Sequence, residues 1–443
     1  MRRPYYDEAM ECLSPQAERR LHEELLARQI ASLLEHSPFY RDKLRGAGLG
    51  LESIRGLDDL PKVPFTTKEE LRESQRREPP FGHHRACPPE AIVRIYSTSG
   101  TTGTPTYIGL TRRDLDHWIR VAARGLWSRG VGPGARVVSP LGAGPFVGGL
   151  MNEVVDRMGA CLIPLGPGHT ERVVAAHRLA GATVLLATPS YAFHLQGFCA
   201  KRGLDPRELG IQLFLVAGEP GGGVPAIRQQ IESTFGCRVL ESMGNGDAGL
   251  SLWSECHLGT GMHFMAQGMI LPELIDSDTG APLAIQEGME GELLYTTLDR
   301  ECVPLLRFRT RDRVRVHGTT CDCGRTGFRI RCIGRTDDML IVRGVNVYPS
   351  AVEEIVAALA PQTTGRLEIV LDRPGPAVDP PLRVRVEVPA AVDDPARLKR
   401  ELEERIRSAL VVQAAVELVP DGTLPRFEYK RQLVRRHEPK TAG

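Results

Sequence analysis

The chain has 443 residues, too many for one ordinary hydrophobic core, so at least two domains are expected. Hydrophobic residues make up 42% and charged residues 25%, the balance of a folded globular protein, which excludes wholesale disorder. Lys plus Arg (56) and Asp plus Glu (55) nearly cancel, which excludes a global field for nucleic acid or an anionic membrane and makes any anion site local.

The opening MRRPYYDEAM leads into charged residues and not an apolar run, and no stretch approaches the roughly 18 apolar residues that span a bilayer. A cytoplasmic protein is expected. Ten irregularly spaced cysteines then read as reduced thiols, some of them metal ligands. Glu18 to Leu34 carries Leu21, Leu25, Ile30 and Leu33 near a 3.6 period, which predicts a packing helix. Residues 56 to 90, rich in Pro and charge, read as an irregular connector.

From Ile92 to Met243, β-rich runs (Arg136 to Leu141, Cys161 to Leu165, Thr183 to Ala187, Leu213 to Ala217, Arg238 to Leu240) alternate with helix-like segments such as Thr170 to Leu179. That alternation predicts an α/β domain with a doubly wound parallel sheet, whose ligands bind beyond the carboxyl ends of the strands. From Gly291 the runs Glu292 to Thr296, Arg313 to His317 and Phe328 to Ile333 predict a smaller, mainly antiparallel β unit. Two helix-like stretches (Ser350 to Leu359, Pro395 to Ala409) and strands at Leu367 to Leu371 and Leu382 to Val388 then predict a small α+β C-terminal domain of roughly a hundred residues. A boundary near Gly334 divides the chain into 1–334 and 335–443.

Tyr96-Ser-Thr-Ser-Gly-Thr-Thr-Gly-Thr-Pro105 follows a strand-like run and is almost wholly Ser, Thr and Gly. Gly100 and Gly103 let the backbone approach an anion, and Ser99, Thr101 and Thr102 offer hydroxyl donors, a composition suited to a polyphosphate. A flexible polar loop is the plain alternative for such a run. The ordered S-G-T-T-G-x-P resembles the phosphate loop of adenylate-forming enzymes, and the surrounding chain resembles their phenylacetate-CoA ligase branch. The likeness extends through His36-Ser-Pro-Phe-Tyr40, Leu60 to Lys68, Ala187-Thr-Pro-Ser-Tyr191, Ala217-Gly-Glu-Pro220, Phe308-Arg-Thr-Arg-Asp312, Gly334 to Met339 and Arg343 to Ser350, in the family's order.

The resemblance implies a large ATP- and acid-binding domain followed by a mobile lid. It implies nucleotide contacts from Ser99, Gly100, Thr101, Thr102 and Gly103, from Gly218, Glu219 and Pro220, and from Glu241, Met243, Gly244, Asp312 and Arg335, the last two on the ribose. Asp247 stands where the family carries its Mg2+ ligand, and Met243 where it carries an aromatic adenine wall. Asp247 keeps the hard oxygen that magnesium prefers but is one methylene shorter than the usual Glu. The family usually has Lys beside the loop proline; Thr104 and Thr106 flank it here, so the loop itself brings no cation to the β- and γ-phosphates. Leu424-Pro-Arg-Phe-Glu-Tyr-Lys430 resembles the C-terminal motif whose lysine enters the site during adenylation, which makes Lys430 the catalytic candidate, although Tyr429 replaces the usual Gly. Asp337 falls at the family's hinge. Pro140, Ala143, Phe146, Gly149 and Tyr191 are expected to line the acyl pocket, where Pro140 replaces an aromatic and Phe146 remains as a ring-stacking wall.

Cys321-Asp-Cys323, with Cys256 and His263 upstream, supplies three thiols and an imidazole for a closed, tetrahedral, structural zinc. His257 is the rival histidine, and free thiols are the alternative.

The resemblance implies ATP, Mg2+ and coenzyme A as cofactors, a small aromatic carboxylic acid as substrate and room for a homodimer; the Cys/His set adds structural Zn2+, and the balanced charge and lack of apolar spans point to no nucleic-acid or membrane partner. An aryl-CoA ligase is the leading expectation. An adenylating enzyme that passes the acyl group to an amine or a carrier-protein thiol is the second. A nucleotide- or zinc-binding protein without turnover is the third.

Overall fold

The computed structural model describes residues 4–98, 106–142, 144, 147–336, 338–343, 345–372, 376–425 and 433–436. They divide into two compact units, one of Met1–Leu186 with Leu240–Arg331 and one of Ala187–Val239 with Cys332–Gly443. No helix among the described residues is long and apolar enough to cross a membrane.

In the first unit, Ser14 starts the helix Pro15–His36 by accepting a hydrogen bond from the Ala17 N–H. Leu25, Leu26, Ile30 and Leu33 form its buried stripe and pack with Tyr40, Leu44 and Leu60. The segment expected to be an irregular connector contains an α-helix, Lys68–Arg77. Its cause is local: Thr67 Oγ1 accepts the Glu70 N–H at 3.3 Å while Glu70 Oε2 accepts the Thr67 N–H at 2.8 Å, a reciprocal cap that meets two of the unsatisfied donors of a helix start.

The strands Arg136–Ser139, Cys161–Pro164 and Val184–Ala187 pair in parallel. The helices Leu150–Arg157 and Thr170–Ala180 supply the crossovers that parallel pairing requires. The antiparallel part pairs Arg238–Asn245 with Gly249–Glu255, and Gly249–Glu255 with Met262–Phe264. Ile270–Ile275, Glu290–Thr297 and Phe308–Gly318 form a further antiparallel set. This mixed α/β architecture, with a large sheet and smaller β elements toward the C-terminus, is the fold class that the alternating runs predicted.

Trp253 anchors the antiparallel part. It is fully buried, its indole N–H donates to Tyr295 Oη at 2.7 Å, and its ring meets Phe264 at 4.9 Å and Phe328 at 5.0 Å. Directly across the ladder from Trp253 stands Met243, so this aromatic cluster fixes the strand that carries the expected adenine wall.

In the second unit, Leu213–Val216 lies between the helices Pro189–Lys201 and Pro225–Phe235 along the chain. A separate four-stranded sheet has the order Ala414–Pro420, Leu382–Val388, Leu367–Leu371, Val434–Arg436. The helix Pro395–Leu410 buries Leu398, Leu402 and Ile406, spaced at four so that they share one face. They join Val352, Val356, Ile369, Val384 and Val386 in a single core.

Replacing Tyr295 by Phe would strand the buried indole N–H of Trp253 without a partner, at an expected cost of about 1–3 kcal/mol. A lower urea midpoint with an unchanged denaturant slope is the result to look for.

Candidate active site and metal cluster

Asp247 sits in the turn between the strands Arg238–Asn245 and Gly249–Glu255. Asn245 holds that turn by accepting the Asp247 N–H on Oδ1 at 3.1 Å and the Ala248 N–H on its carbonyl at 3.0 Å. A Cβ on Gly244 would stand 2.7 Å from the Gly249 carbonyl oxygen and 2.9 Å from the Ser251 nitrogen, so the strands can approach only with glycine there.

The Asp247 carboxylate receives Lys68 Nζ at 2.6 Å on each oxygen and the Thr106 hydroxyl at 3.3 Å. The same ammonium reaches Thr106 Oγ1 at 2.5 Å and Thr98 Oγ1 at 3.5 Å. Thr98 and Thr106 close the neck of the Ser/Thr/Gly loop: the Thr98 N–H donates to the Thr106 carbonyl at 3.0 Å, and the two hydroxyls meet at 3.0 Å. The loop residues Ser99, Gly100, Thr101, Thr102 and Gly103 lie outside the described residues. A cation is therefore present at the neck of the loop after all. It comes from the first residue of a helix 30 positions earlier, a residue that the family motif included but to which the sequence attached no role. The capping box at Thr67 and Glu70 is the local signal that places it.

The approach of Lys68 is fixed from the far side. Thr66 bridges in parallel to Phe308, donates its N–H to the Arg307 carbonyl at 3.0 Å, and accepts the Arg309 N–H at 2.9 Å. Nearby His84 is buried, with Nδ1 at 3.0 Å from Ser74 Oγ, and burial pushes its pKa down to about 3, so a neutral imidazole faces the cluster.

The strand Phe308–Gly318 carries Asp312 on a bulge. Glu292 pairs with Arg313 and Leu294 with Arg309, so Thr310, Arg311 and Asp312 oppose Leu293 alone. Thr310 Oγ1 donates to the Leu293 carbonyl at 2.8 Å and accepts the Asp312 N–H at 3.0 Å, while Arg311 takes φ 65°. Bulges of this kind re-aim a side chain out of the strand's alternation. Glu241 is buried, and its N–H donates to Glu255 Oε2 at 2.7 Å. Met243 is half-buried, Pro140 is buried, and Gly149 precedes the helix Leu150–Arg157. Ala143 and Phe146 lie outside the described residues.

In the second unit, Glu219 Oε1 accepts the Ser190 N–H at 2.6 Å, fastening the Gly218-Glu219-Pro220 turn to the start of the helix Pro189–Lys201. Tyr191 is buried on that helix beside His194. Arg335 ends the strand Arg329–Arg335, half-buried, and its carbonyl accepts the Asp338 N–H at 3.3 Å. Asp337 and Lys430 lie outside the described residues. The approach to the Lys430 motif is held by buried Glu387, whose Oε2 accepts the N–H groups of Gly422 at 3.2 Å and Leu424 at 3.1 Å.

Cys256, His263, Cys321 and Cys323 bring their four ligand atoms within 4.8 Å of one another. Cys256 Sγ lies 4.0 Å from Cys321 Sγ, and Cys323 Sγ lies 3.4 Å from His263 Nε2. A tetrahedral zinc with ordinary bond lengths has edges of about 3.5–3.8 Å, so the quartet fits that ion. His263 Nδ1 at 2.9 Å from the Gly327 carbonyl fixes the tautomer that leaves Nε2 for a metal. The Cys323 thiol is held far below its usual range, first by its hydrogen bond with Cys256 and then by His263. The rival His257 is exposed and is not one of the four. The N-terminal segment closes over this loop: Tyr5 Oη donates to the Cys323 carbonyl at 3.0 Å, and buried Glu11 pairs with Arg325 at 2.7 Å.

The family profile described as AMP-binding enzyme C-terminal domain matches residues 344–437. The phenylacetate-coenzyme A ligase of Thermus thermophilus is 37% identical over 442 residues, covering 96% of this chain and 97% of that protein. Its counterpart in Escherichia coli is 34% identical over 404 residues and 89% of each chain. The crystal structure of a 2-hydroxyisobutyryl-CoA ligase in the postadenylation state with 2-HIB-AMP has a TM-score of 0.90 at 27% identity, over 98% of this chain and 93% of that one. Fold and sequence together define an AMP-forming ligase that joins a carboxylic acid to coenzyme A through an adenylate. The chain belongs to the phenylacetate-coenzyme A ligase family.

A Cys321→Ser variant is expected to lose bound metal and to melt several degrees below the parent, read by elemental analysis and thermal denaturation side by side. Unchanged stability on metal loss would remove the structural role.

Proposed function

We propose that the protein activates an aromatic carboxylic acid with ATP, forming an acyl-adenylate and pyrophosphate, and then transfers the acyl group to coenzyme A with release of AMP. The observation that carries this reading is the Lys68, Asp247, Thr98 and Thr106 cluster at the neck of the Ser99 to Gly103 loop. A carboxylate and two hydroxyls around an ammonium are the hard oxygens that suit magnesium, and Lys68 is the stand-in cation. Bound magnesium would neutralise charge on the triphosphate. Asp247 would hold that ion, and the Lys68 ammonium would then engage the phosphates in place of the cation absent from the loop.

The remaining roles follow from the family likeness. Glu241, Met243, Gly244 and Asp312, with Gly218, Glu219, Pro220 and Arg335, bind the nucleotide, and Pro140, Ala143, Phe146, Gly149 and Tyr191 line the acyl pocket. One carboxylate oxygen of the acid attacks the α-phosphorus as the bond to pyrophosphate breaks. Lys430 holds its ammonium against the charge that builds on the phosphoryl oxygens, where positioning and electrostatics supply the rate. The segment 335–443 then turns about Asp337 relative to 1–334. The thiol sulfur of coenzyme A attacks the acyl carbon, AMP leaves, and the thiol proton goes to solvent. Zinc held by Cys256, His263, Cys321 and Cys323 is structural. The names of the relatives and the apolar sequence around Phe146 support an aromatic acid, and ATP and coenzyme A as co-substrates support a cytoplasmic site.

Pyrophosphate release with a panel of aromatic acids, with and without coenzyme A, tests the reading. Release without a coenzyme A thioester points to a different acceptor, and no release with any acid points to binding without turnover. Lys68→Met is expected to lower the kcat/KM for ATP by about 100-fold, the scale of one lost electrostatic stabiliser, with the KM of the acid little changed. Lys430→Ala is expected to cost orders of magnitude in adenylate formation while sparing thioester formation from supplied acyl-adenylate. Equal loss in both half-reactions speaks against the domain rotation.

A further inference from the structure

Arg300 is a buried guanidinium that the reaction scheme above does not use. Among the described residues, Nε and Nη2 have no hydrogen-bond partner and no carboxylate lies within ion-pair distance of it. Burial lowers its pKa, and the charges of Asp114 and Asp247 oppose that shift. Taking a cation out of water on such terms is costly, and a chain keeps one where it secures something else.

What Arg300 secures is the turn that carries Asp247. Nη1 donates to the Asp247 carbonyl at 2.6 Å and reaches the Ala248 carbonyl at 3.4 Å. The guanidinium lies 5.0 Å from the centre of the Trp118 ring, which fixes the plane of the fork. The backbone behind it is immobilised in turn. Gln29, buried on the helix Pro15–His36, accepts the Arg300 N–H at 2.9 Å and donates to its carbonyl at 3.1 Å. Asp114, buried at the start of the helix Arg112–Ser128, accepts the N–H groups of Glu301 at 2.8 Å and Cys302 at 3.0 Å. Two helices thus hold a rigid post, and the post holds the main chain of Asp247, whose side chain alone is engaged by Lys68 and Thr106.

We infer that Arg300 is a positioning residue for the metal-bound nucleotide: it fixes the Asp247–Ala248 segment so that the carboxylate keeps its aim when Lys68 withdraws. The inference rests on the reading of Asp247 as the metal ligand. It gives a physical reason why an Asp, one methylene shorter than the family's Glu, serves at this position: with a shorter side chain, the placement of the backbone decides where the oxygens fall.

The test is binding without turnover. Mn2+ is titrated against the full-length protein with α,β-methylene-ATP, and free Mn2+ is read by electron paramagnetic resonance for the parent, Asp247→Asn, Arg300→Met and Arg300→Lys. Arg300→Met is expected to weaken Mn2+ retention in the ternary complex by about tenfold, the usual scale for a group that orients a metal ligand. Arg300→Lys, which keeps the charge but loses the fork, is expected to weaken it about threefold. Affinity for the nucleotide without metal stays at the parent value in both. If Arg300→Met does not fold, Arg300→Lys decides alone. Parent-like Mn2+ retention in the Arg300 variants, with weakened retention in Asp247→Asn, overturns this inference and leaves the proposed function standing. Parent-like retention in Asp247→Asn instead removes the metal-ligand reading on which it rests.

Discussion

The contact between Lys68 and Asp247 is the constraint around which the first unit is organised. Both side chains are largely withdrawn from water, at 18% and 11% exposure, so each charge depends on the other and on the two threonine hydroxyls beside them. To bring these groups together the chain must cap a helix at Thr67, stitch Thr66 to Phe308, close a loop between Thr98 and Thr106, and hold a turn with Asn245 and Arg300. Thr98, Thr106 and Asp247, far from Lys68 along the sequence, converge on its one ammonium.

That arrangement gives the free protein a preset charge balance. An ammonium on the carboxylate suppresses the repulsion that Asp247 would present to an incoming triphosphate, and in the proposed reaction the same ammonium would follow the phosphates. A charge expected in the phosphate loop can therefore come from a different part of the chain, because a Coulomb interaction depends on where the charge lies and not on which segment brings it.

The strands and helices were legible wherever the pattern was local. Val184–Ala187, Leu367–Leu371 and Leu382–Val388 are short β-branched and leucine runs between turn residues, and the helix Pro395–Leu410 shows its face in Leu398, Leu402 and Ile406. The Cys256, His263, Cys321 and Cys323 set was legible because thiols and imidazoles are scarce enough to single out. The helix Lys68–Arg77 was not, since a charged, proline-flanked segment buries only Leu71 and Ser74 and so shows almost no apolar period; its capping box was the one signal available. The bulge at Asp312 and the post at Arg300 were hidden for another reason. They are set by partners on other strands and helices, such as Leu293, Gln29 and Trp118, which no window of neighbouring residues contains.

The closure of Tyr5 and Glu11 over the cysteine loop bears on the order in which the molecule is made. Tyr5 and Cys323 are 318 positions apart, so at about 5–20 residues per second the segment around Tyr5 waits on the order of 15–60 s for its partner to leave the ribosome. The segment around Tyr5 thus settles only long after it has been made. Until Cys321, Cys323 and Arg325 have emerged, Glu11 has no cation to bury against, and the metal quartet lacks half its ligands. Docking of the segment that carries Tyr5 and Glu11 and completion of the Cys/His quartet therefore both depend on the emergence of the same loop.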